Sequence, residues 1–205
     1  MGGITVKYDI SGGVSRSAGR VFAAFREALF ALLQRQSFES ISVQSLCNAA
    51  NYPRSTFYNY FDDIYDLLSF CLDSPIDGFD GEKYKPYSSA DRVYAVFADL
   101  YDQLEPQRGA LNRVFANNKP DGVLRTAFMQ QLEQRTLLAL SDALPQEDAI
   151  PRQMLAEHCA GVLILVFCWC FIKKDYLSKE AGMDALRYLV GGLYRNSPAE
   201  GGAAT

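Results

Sequence analysis

The sequence predicts an all-α protein, and three observations support this prediction. Apolar residues recur at intervals of three and four in nine stretches, as they do along one face of a helix. No stretch alternates apolar and polar residues over a useful strand length. The 205 residues are 49% hydrophobic and include 13 Phe and 12 Tyr, which is sufficient for a sizeable core in one or two domains.

The first third of the chain is predicted to form four helices. They are a long helix ending near Leu33, a short one up to about Ala50, a third over residues 54–60 and a fourth starting at Ile64. Ser42 is a suitable N-cap for the second helix. Residues 51–53 (NYP) predict a tight turn, because Asn tolerates a left-handed conformation and Pro is accepted at a helix start. Phe57 and Phe61, four residues apart, are expected to anchor the third helix on the first.

Residues 73–89, DSPIDGFDGEKYKPYSS, are rich in Gly, Pro, Asp and Tyr and mark the predicted domain boundary. Five further helices are predicted over about residues 93–104, 111–115 and 123–138, in an apolar stretch ending near Tyr176, and from Ser178 to about Leu193. The predicted organisation is a flexible N-terminal arm (1–15), a first domain (16–72), a second domain (73–197) and a disordered tail (198–205).

The charge of the chain is unevenly distributed. The formal net charge is -4, yet between Lys7 and Phe61 six basic residues outnumber three acidic ones. A basic segment on an otherwise acidic chain indicates that this segment contacts an anion.

Cysteine usage and hydropathy predict a cytoplasmic protein without membrane contact. The five cysteines show no metal-ligand spacing and mostly lie in apolar helical stretches, which is typical of a reducing cytosol. No signal-peptide pattern precedes the first helix. The uncharged apolar run over residues 160–172 has 13 residues, fewer than the roughly 20 that span a bilayer.

No enzymatic site, cofactor or metal is predicted. The only histidine, His158, has Glu157 and Cys159 beside it, but adjacent residues on a helix point in different directions. We therefore expect a core or interface histidine. No phosphate loop, nucleophile elbow or zinc-ligand spacing is found.

Two short helices joined by a tight turn form a helix-turn-helix, whose second helix enters the major groove of DNA. Arg54 is suited to a bidentate pair with guanine and Asn59 to one with adenine. The hydroxyls of Thr56 and Tyr58 are suited to phosphate oxygens. Because exposed aromatic residues usually make a contact, Tyr58 and Tyr60 favour a binding surface over a merely solvated helix. The residues therefore indicate binding to double-stranded DNA.

Residues 38–68, FESISVQSLCNAANYPRSTFYNYFDDIYDLL, resemble the DNA-binding signature of the TetR family of transcriptional regulators. That signature has an aromatic residue before a Thr/Ser-Val helix start, an Ile/Leu-Ala-x-x-Ala helix, a Gly-Val-Ser turn, Thr-x-Tyr-x-Tyr/His-Phe and an acidic-Leu-Leu ending. The matching positions are Phe38, Ser42, Val43, Leu46, Ala50, Thr56, Tyr58, Tyr60, Phe61, Leu67 and Leu68. Outside residues 16–72 the resemblance rests on helix number and length.

The resemblance implies an all-α homodimer with an N-terminal DNA-binding domain. Its C-terminal domain would dimerise and bind a small effector, whose binding commonly releases the operator DNA. The implied function is that of a ligand-responsive repressor acting on a palindromic operator. Carried over by position, the DNA-contacting residues are Ser42, Gln44, Arg54, Ser55, Thr56, Tyr58, Asn59 and Tyr60.

Two departures from the signature affect the expected DNA contacts. The turn NYP replaces Gly-Val-Ser, so the serine cap of the third helix is lost. Ile64, preceded by Asp62 and Asp63, stands where the family often has a phosphate-binding lysine. Affinity is therefore expected to depend more on Arg16, on Arg20 and on dimerisation.

The eighth and ninth helices are apolar on more than one face, which predicts a four-helix interface between two copies. The candidate interface residues are Leu165, Val166, Trp169, Leu186, Leu189, Val190 and Leu193. The resemblance places an effector pocket among the fifth to eighth helices, where aromatic or soft side chains are candidates for its walls. These are Tyr94, Phe97, Tyr101, Phe115, Phe128, Cys159 and Phe167, which are equally typical of plain core.

Two alternatives remain open at the level of sequence. The ending FDDIYDLL is similar to a branch of the family that includes activators of dihydroxyacetone-kinase operons, which work with a protein partner. A helical interaction scaffold that does not bind DNA is the other alternative. A gel shift against the promoter of the protein's own gene discriminates between DNA binding and the scaffold.

Overall fold

The computed structural model describes residues 15–73, 81–140, 150–173 and 176–194. These ranges contain nine α-helices: α1 (Arg16–Leu33), α2 (Val43–Ala50), α3 (Arg54–Tyr60), α4 (Ile64–Asp73), α5 (Ser89–Leu104), α6 (Arg108–Asn117), α7 (Val123–Leu140), α8 (Arg152–Phe171) and α9 (Lys179–Tyr194). The predicted all-α class is confirmed. The predicted arm, apart from Ser15, and the predicted tail lie outside the described residues.

Contacts divide the chain into two compact units. Unit 1 comprises residues 1–77 and 109–131, and unit 2 comprises residues 78–108 and 132–205. The second segment of unit 1 was not expected there from sequence, because residues 109–131 follow the predicted boundary. The predicted domains 16–72 and 73–197 have different ranges from these two units, and they stay a prediction.

The core of unit 1 is built on the apolar face of α1. Helix α1 has Ser15 as its N-cap, and the Ser15 hydroxyl accepts a hydrogen bond from the Ala18 N–H at 3.2 Å. Phe25 of α1 packs edge-on against Phe57 of α3 at 5.3 Å between ring centroids and against Phe61 at 6.0 Å. All three rings are fully buried, and each contributes about 1.5–3 kcal/mol by its burial. Phe57 and Phe61 thus anchor α3 on α1, as predicted.

Helix α8 is one of three helices that pack together in unit 2. It contacts both α9 and α5. Nine of its side chains are buried, among them Cys159, Leu163 and Phe167. The helix ends at Phe171, earlier than the predicted end near Tyr176. At this end the Ile172 N–H donates to the Cys168 carbonyl at 2.9 Å. The run predicted to be too short for a bilayer is part of a helix of 20 residues, long and apolar enough to cross one. Half of its apolar window is buried inside the chain, and this half is core.

The side chain of Arg108 ties the end of α5 to the end of α8 within unit 2. Its guanidinium donates to the Tyr101 hydroxyl at 2.8 Å, to the Cys170 carbonyl, and through Nε to the Glu105 carboxylate at 2.7 Å. It also lies 4.4 Å above the Phe171 ring. These partners neutralise and enclose the charge, so Arg108 fixes these helix ends.

Candidate nucleic-acid interface

Helix α2 and the turn after it are defined by local hydrogen bonds. The Ser42 hydroxyl accepts from the Ser45 N–H at 3.1 Å, while the Ser42 N–H donates to the Ser45 hydroxyl at 3.0 Å, so the predicted N-cap is a reciprocal capping box. At the other end Asn51 adopts the left-handed conformation with φ 57° and ψ 42°. The Tyr52 N–H then bonds back to the Cys47 carbonyl at 3.1 Å. Asn51 thereby ends α2 and redirects the chain into α3.

Helix α3 starts without a side-chain cap. Pro53 occupies the N-cap position and makes no side-chain hydrogen bond, which confirms the predicted loss of the serine cap. Phe57 is buried while Arg54, Ser55 and Asn59 are exposed. The helix therefore buries its apolar anchor and presents polar side chains to solvent.

Arg54 and Tyr58 meet one helical turn apart on this polar face. Arg54 Nη2 lies 3.4 Å from the Tyr58 hydroxyl, and the guanidinium carbon lies 5.9 Å from the centroid of the Tyr58 ring. Tyr58 is 40% exposed, and its ring rests edge-on against Phe57 at 5.5 Å. The sequence assigned these two residues separate roles and did not predict their contact.

Tyr60 and Thr56 lie at the margin of the polar face. The Tyr60 ring packs edge-on against Phe22 of α1 at 5.2 Å, and both Tyr60 and Thr56 are half-buried. Tyr60 therefore contributes to the packing of α3 on α1, a role that the sequence did not assign to it.

The exposed side of α2 carries a polar pair. Gln44 donates through Nε2 to the Asn48 amide oxygen at 2.9 Å, and both residues are exposed. Ser42 is also exposed, but its hydroxyl takes part in the capping box. Asn48 is a candidate contact that the sequence reading missed, although its spacing of four from Gln44 is the signal that would have found it.

The acidic residues after α3 serve as caps of α4. Asp63 Oδ1 accepts from the N–H groups of Tyr65 at 2.8 Å and Asp66 at 2.9 Å. Asp66 Oδ2 in turn accepts from the Asp62 N–H at 3.0 Å. These bonds direct two of the carboxylates to backbone groups at a helix N-terminus, where negative charge is stabilised. Ile64 is half-buried, and Arg16 and Arg20 are exposed on the first turns of α1.

The candidate pocket residues fall into both units. Phe115 and Phe128 belong to unit 1, where their rings meet edge-on at 5.4 Å. Phe97, Tyr101, Cys159 and Phe167 are buried in unit 2, and Tyr94 there is half-buried. Packing of this kind is what the plain-core alternative predicts for each buried residue.

The candidate dimer residues separate into exposed and buried sets. Leu165 is 50% exposed and Trp169 is 44% exposed on α8, and Leu189 is exposed on α9. Val166, Leu186 and Val190 are buried inside the chain, so this part of the predicted interface is corrected: they face the core. Met154 and Tyr188 are also exposed on these two helices, whereas the Leu193 side chain lies outside the described part of the structure.

His158 is exposed on α8, so it is not a core histidine. It lies at spacings of four and three from Met154 and Gly161, on the same helix face as Leu165. Within the described residues, no group of three or more His, Cys, Asp or Glu side chains is arranged to hold a metal ion.

The all-α architecture, with α2 and α3 forming a helix-turn-helix that packs on α1 through buried Phe rings, is known from solved structures. The chain is similar to a TetR transcriptional regulator from Streptococcus agalactiae 2603V, with a TM-score of 0.59 and 19% identity over 87% of this chain and 96% of that chain. It is also similar to a TetR transcriptional regulator from Rhodococcus sp. RHA1, with a TM-score of 0.50 and 18% identity over 89% and 99% of the respective chains. No protein-family model and no curated protein matches the sequence. The chain has the TetR fold.

Proposed function

We propose that this chain is a sequence-specific DNA-binding transcriptional regulator that uses α3 as its recognition helix. The observation that supports this most directly is the division of α3 between buried Phe57 and exposed Arg54, Ser55 and Asn59. Arg and Asn are the side chains best suited to bidentate readout of guanine and adenine. The exposed arginines of α1, Arg16 and Arg20, are assigned to phosphate contacts that set the register.

We further propose that the regulator acts in the cytoplasm as a homodimer on a palindromic operator and represses until an effector binds. Exposed Leu165, Trp169 and Leu189 support an interface made by α8 and α9. Buried aromatic residues of unit 2 such as Phe97 and Tyr101 are the candidates for an effector pocket. The alternative of an activator with a protein partner is distinguished by a reporter assay: deletion of the gene raises expression from a repressed promoter and lowers it from an activated one.

The test of DNA binding is selection from a library of random-sequence DNA duplexes, followed by anisotropy titrations on the enriched site. Arg54→Ala and Asn59→Ala should each cost about 1–3 kcal/mol at one base position, because each removes a bidentate contact. Arg113→Ala is the matched control, since Arg113 is an exposed arginine of α6, outside both proposed surfaces, whose Nη2 donates to Gln34 Oε1 at 2.7 Å. If the library yields no enriched sequence, the scaffold alternative is correct and the DNA-binding proposal is wrong.

A further inference from the structure

We propose that Tyr58 is a positioning residue that holds the Arg54 guanidinium for base readout, so that the pair sets specificity together. This inference rests on the proposed function, because it concerns how the recognition helix selects a base. The observations are the contact of 3.4 Å between Arg54 Nη2 and the Tyr58 hydroxyl, and the approach of 5.9 Å to the Tyr58 ring. Arg54 is the first residue of α3, where its own backbone leaves the side chain free to sample many rotamers.

Tyr58 is suited to this role because one side of its ring rests on a core residue. Its ring packs edge-on against Phe57 at 5.5 Å, and Phe57 is fully buried. A tyrosine has only two side-chain torsions, so it orders a surface at low entropic cost. An exposed arginine, by contrast, has a flexible stem whose ordering opposes binding. Contact with the Tyr58 ring restricts the Arg54 side chain before DNA binds, so the entropic cost of ordering it on binding is smaller.

Arg54 keeps enough free N–H donors to bind a base while it contacts Tyr58. An arginine has five N–H donors, and the Tyr58 hydroxyl accepts one of the two on Nη2. The second Nη2 donor, together with Nε or Nη1, still provides the two parallel bonds that guanine accepts. The Tyr58 hydroxyl retains its own proton, which it is able to donate to a phosphate oxygen. Tyr58 would then connect the backbone contact to the base contact.

A simple phosphate contact by Tyr58 predicts a different result. In that role the hydroxyl contributes equally to every DNA sequence, because phosphates carry no direct sequence information. In the positioning role the hydroxyl contributes mainly when Arg54 meets its preferred base. The two roles are therefore separated by base discrimination rather than by affinity alone.

The experiment uses the full chain and the DNA site enriched from the random library. Dissociation constants are measured for that site and for each single-base substitution, with the parent, Tyr58→Phe, Arg54→Ala and the double variant. The position read by Arg54 is the one at which Arg54→Ala loses discrimination. Tyr58→Phe keeps the ring, so its thermal midpoint should match that of the parent. Tyr65→Phe, which alters an exposed tyrosine of α4, is the matched control.

The expected result is a several-fold loss of discrimination by Tyr58→Phe at the Arg54 position, with other positions unchanged. In the Arg54→Ala background the same substitution should change discrimination no further, because the positioned group is gone. An equal loss of affinity for every site, in both backgrounds, would overturn the positioning role and leave a phosphate contact. If the parent itself discriminates at no position, the proposed function fails, and that outcome is visible before any variant is compared.

Discussion

Asn118 joins two segments of unit 1 that are far apart in the sequence. Its amide oxygen accepts from the Phe38 N–H at 2.8 Å, and its amide nitrogen donates to the Val114 carbonyl at 2.7 Å. The side chain is buried, so both of its polar ends are satisfied within the protein. A single residue thus fixes the start of the short 3-10 helix Phe38–Ser40 to the end of α6.

We predict that Asn118→Ala destabilises the fold by about 1–3 kcal/mol, because it leaves the buried Phe38 N–H without its acceptor. The neighbouring substitution Asn117→Ala is the control. Asn117 is exposed and donates to the Leu33 carbonyl at 3.4 Å, so its loss should cost no more than about 0.5 kcal/mol. Urea unfolding monitored by circular dichroism measures both. Equal midpoints for the two variants would show that the Asn118 bonds do not stabilise the fold.

The two asparagines at positions 51 and 118 show which residue roles are predictable from sequence. A turn at residues 51–53 was predicted because Asn tolerates a left-handed conformation and Pro is accepted at a helix start, and Asn51 has φ 57°. Asn118 was not singled out, because its partner Phe38 is 80 residues away. The contact between Arg54 and Tyr58 is intermediate: the spacing of four was visible, but the pairing needed the side-chain geometry.

Local periodicity predicted the nine helices, but it did not always predict which face of a helix is buried. The buried side of α3 was predicted because Phe57 in the helix and Phe61 at its C-cap are four residues apart. On α8 and α9 apolar residues occupy several faces, so Val166 and Leu186 were assigned to an interface although both are buried within the chain. Periodicity identifies a helix, but a helix that is apolar all round gives no direction.

Gly182 marks a close approach between helices of unit 2. A Cβ at this position of α9 would lie 2.8 Å from Cys170 Sγ and 2.8 Å from Phe97 Cζ. The absence of a side chain therefore lets α9 pack closely against both α8 and α5. Sequence alone indicated only a glycine inside a predicted helix.

We predict that Gly182→Ala lowers the free energy of unfolding by about 1–3 kcal/mol, since the added methyl group overpacks this contact. Gly109→Ala on α6 is the control. A Cβ there would meet only the Arg113 Nη1 atom, at 3.7 Å, so helix propensity should stabilise that variant by up to about 1 kcal/mol. Opposite signs in a thermal melt are expected. A stabilised Gly182→Ala protein would mean that α9 shifts without cost.

At the scale of the whole molecule, recognition by a single short helix is too weak to select an operator. A dimer places two recognition helices on half-sites about one helical turn of DNA apart, so operator symmetry mirrors protein symmetry. Avidity then exceeds the affinity of either head without any new contact. The proposed function therefore requires the interface residues of α8 and α9 for operator binding as much as it requires Arg54.

We predict that Leu165→Glu combined with Trp169→Glu gives a folded monomer. These side chains are 50% and 44% exposed in a single chain, so charging them should leave its core unchanged, whereas a charge in an apolar interface remains unpaired. Sedimentation at micromolar concentration should show a monomer, and affinity for the palindromic site should fall by more than about tenfold. Affinity for an isolated half-site should not change.

Leu138→Glu is the control for this dimer test, because Leu138 on α7 is 76% exposed and lies outside the proposed interface. It should remain dimeric and bind the palindrome as the parent does. If the protein with both Leu165→Glu and Trp169→Glu stays dimeric, the interface lies elsewhere on the surface. A double variant that is monomeric yet binds the palindrome with parental affinity would show that a single recognition helix is sufficient, and the homodimer proposal for operator binding would be wrong.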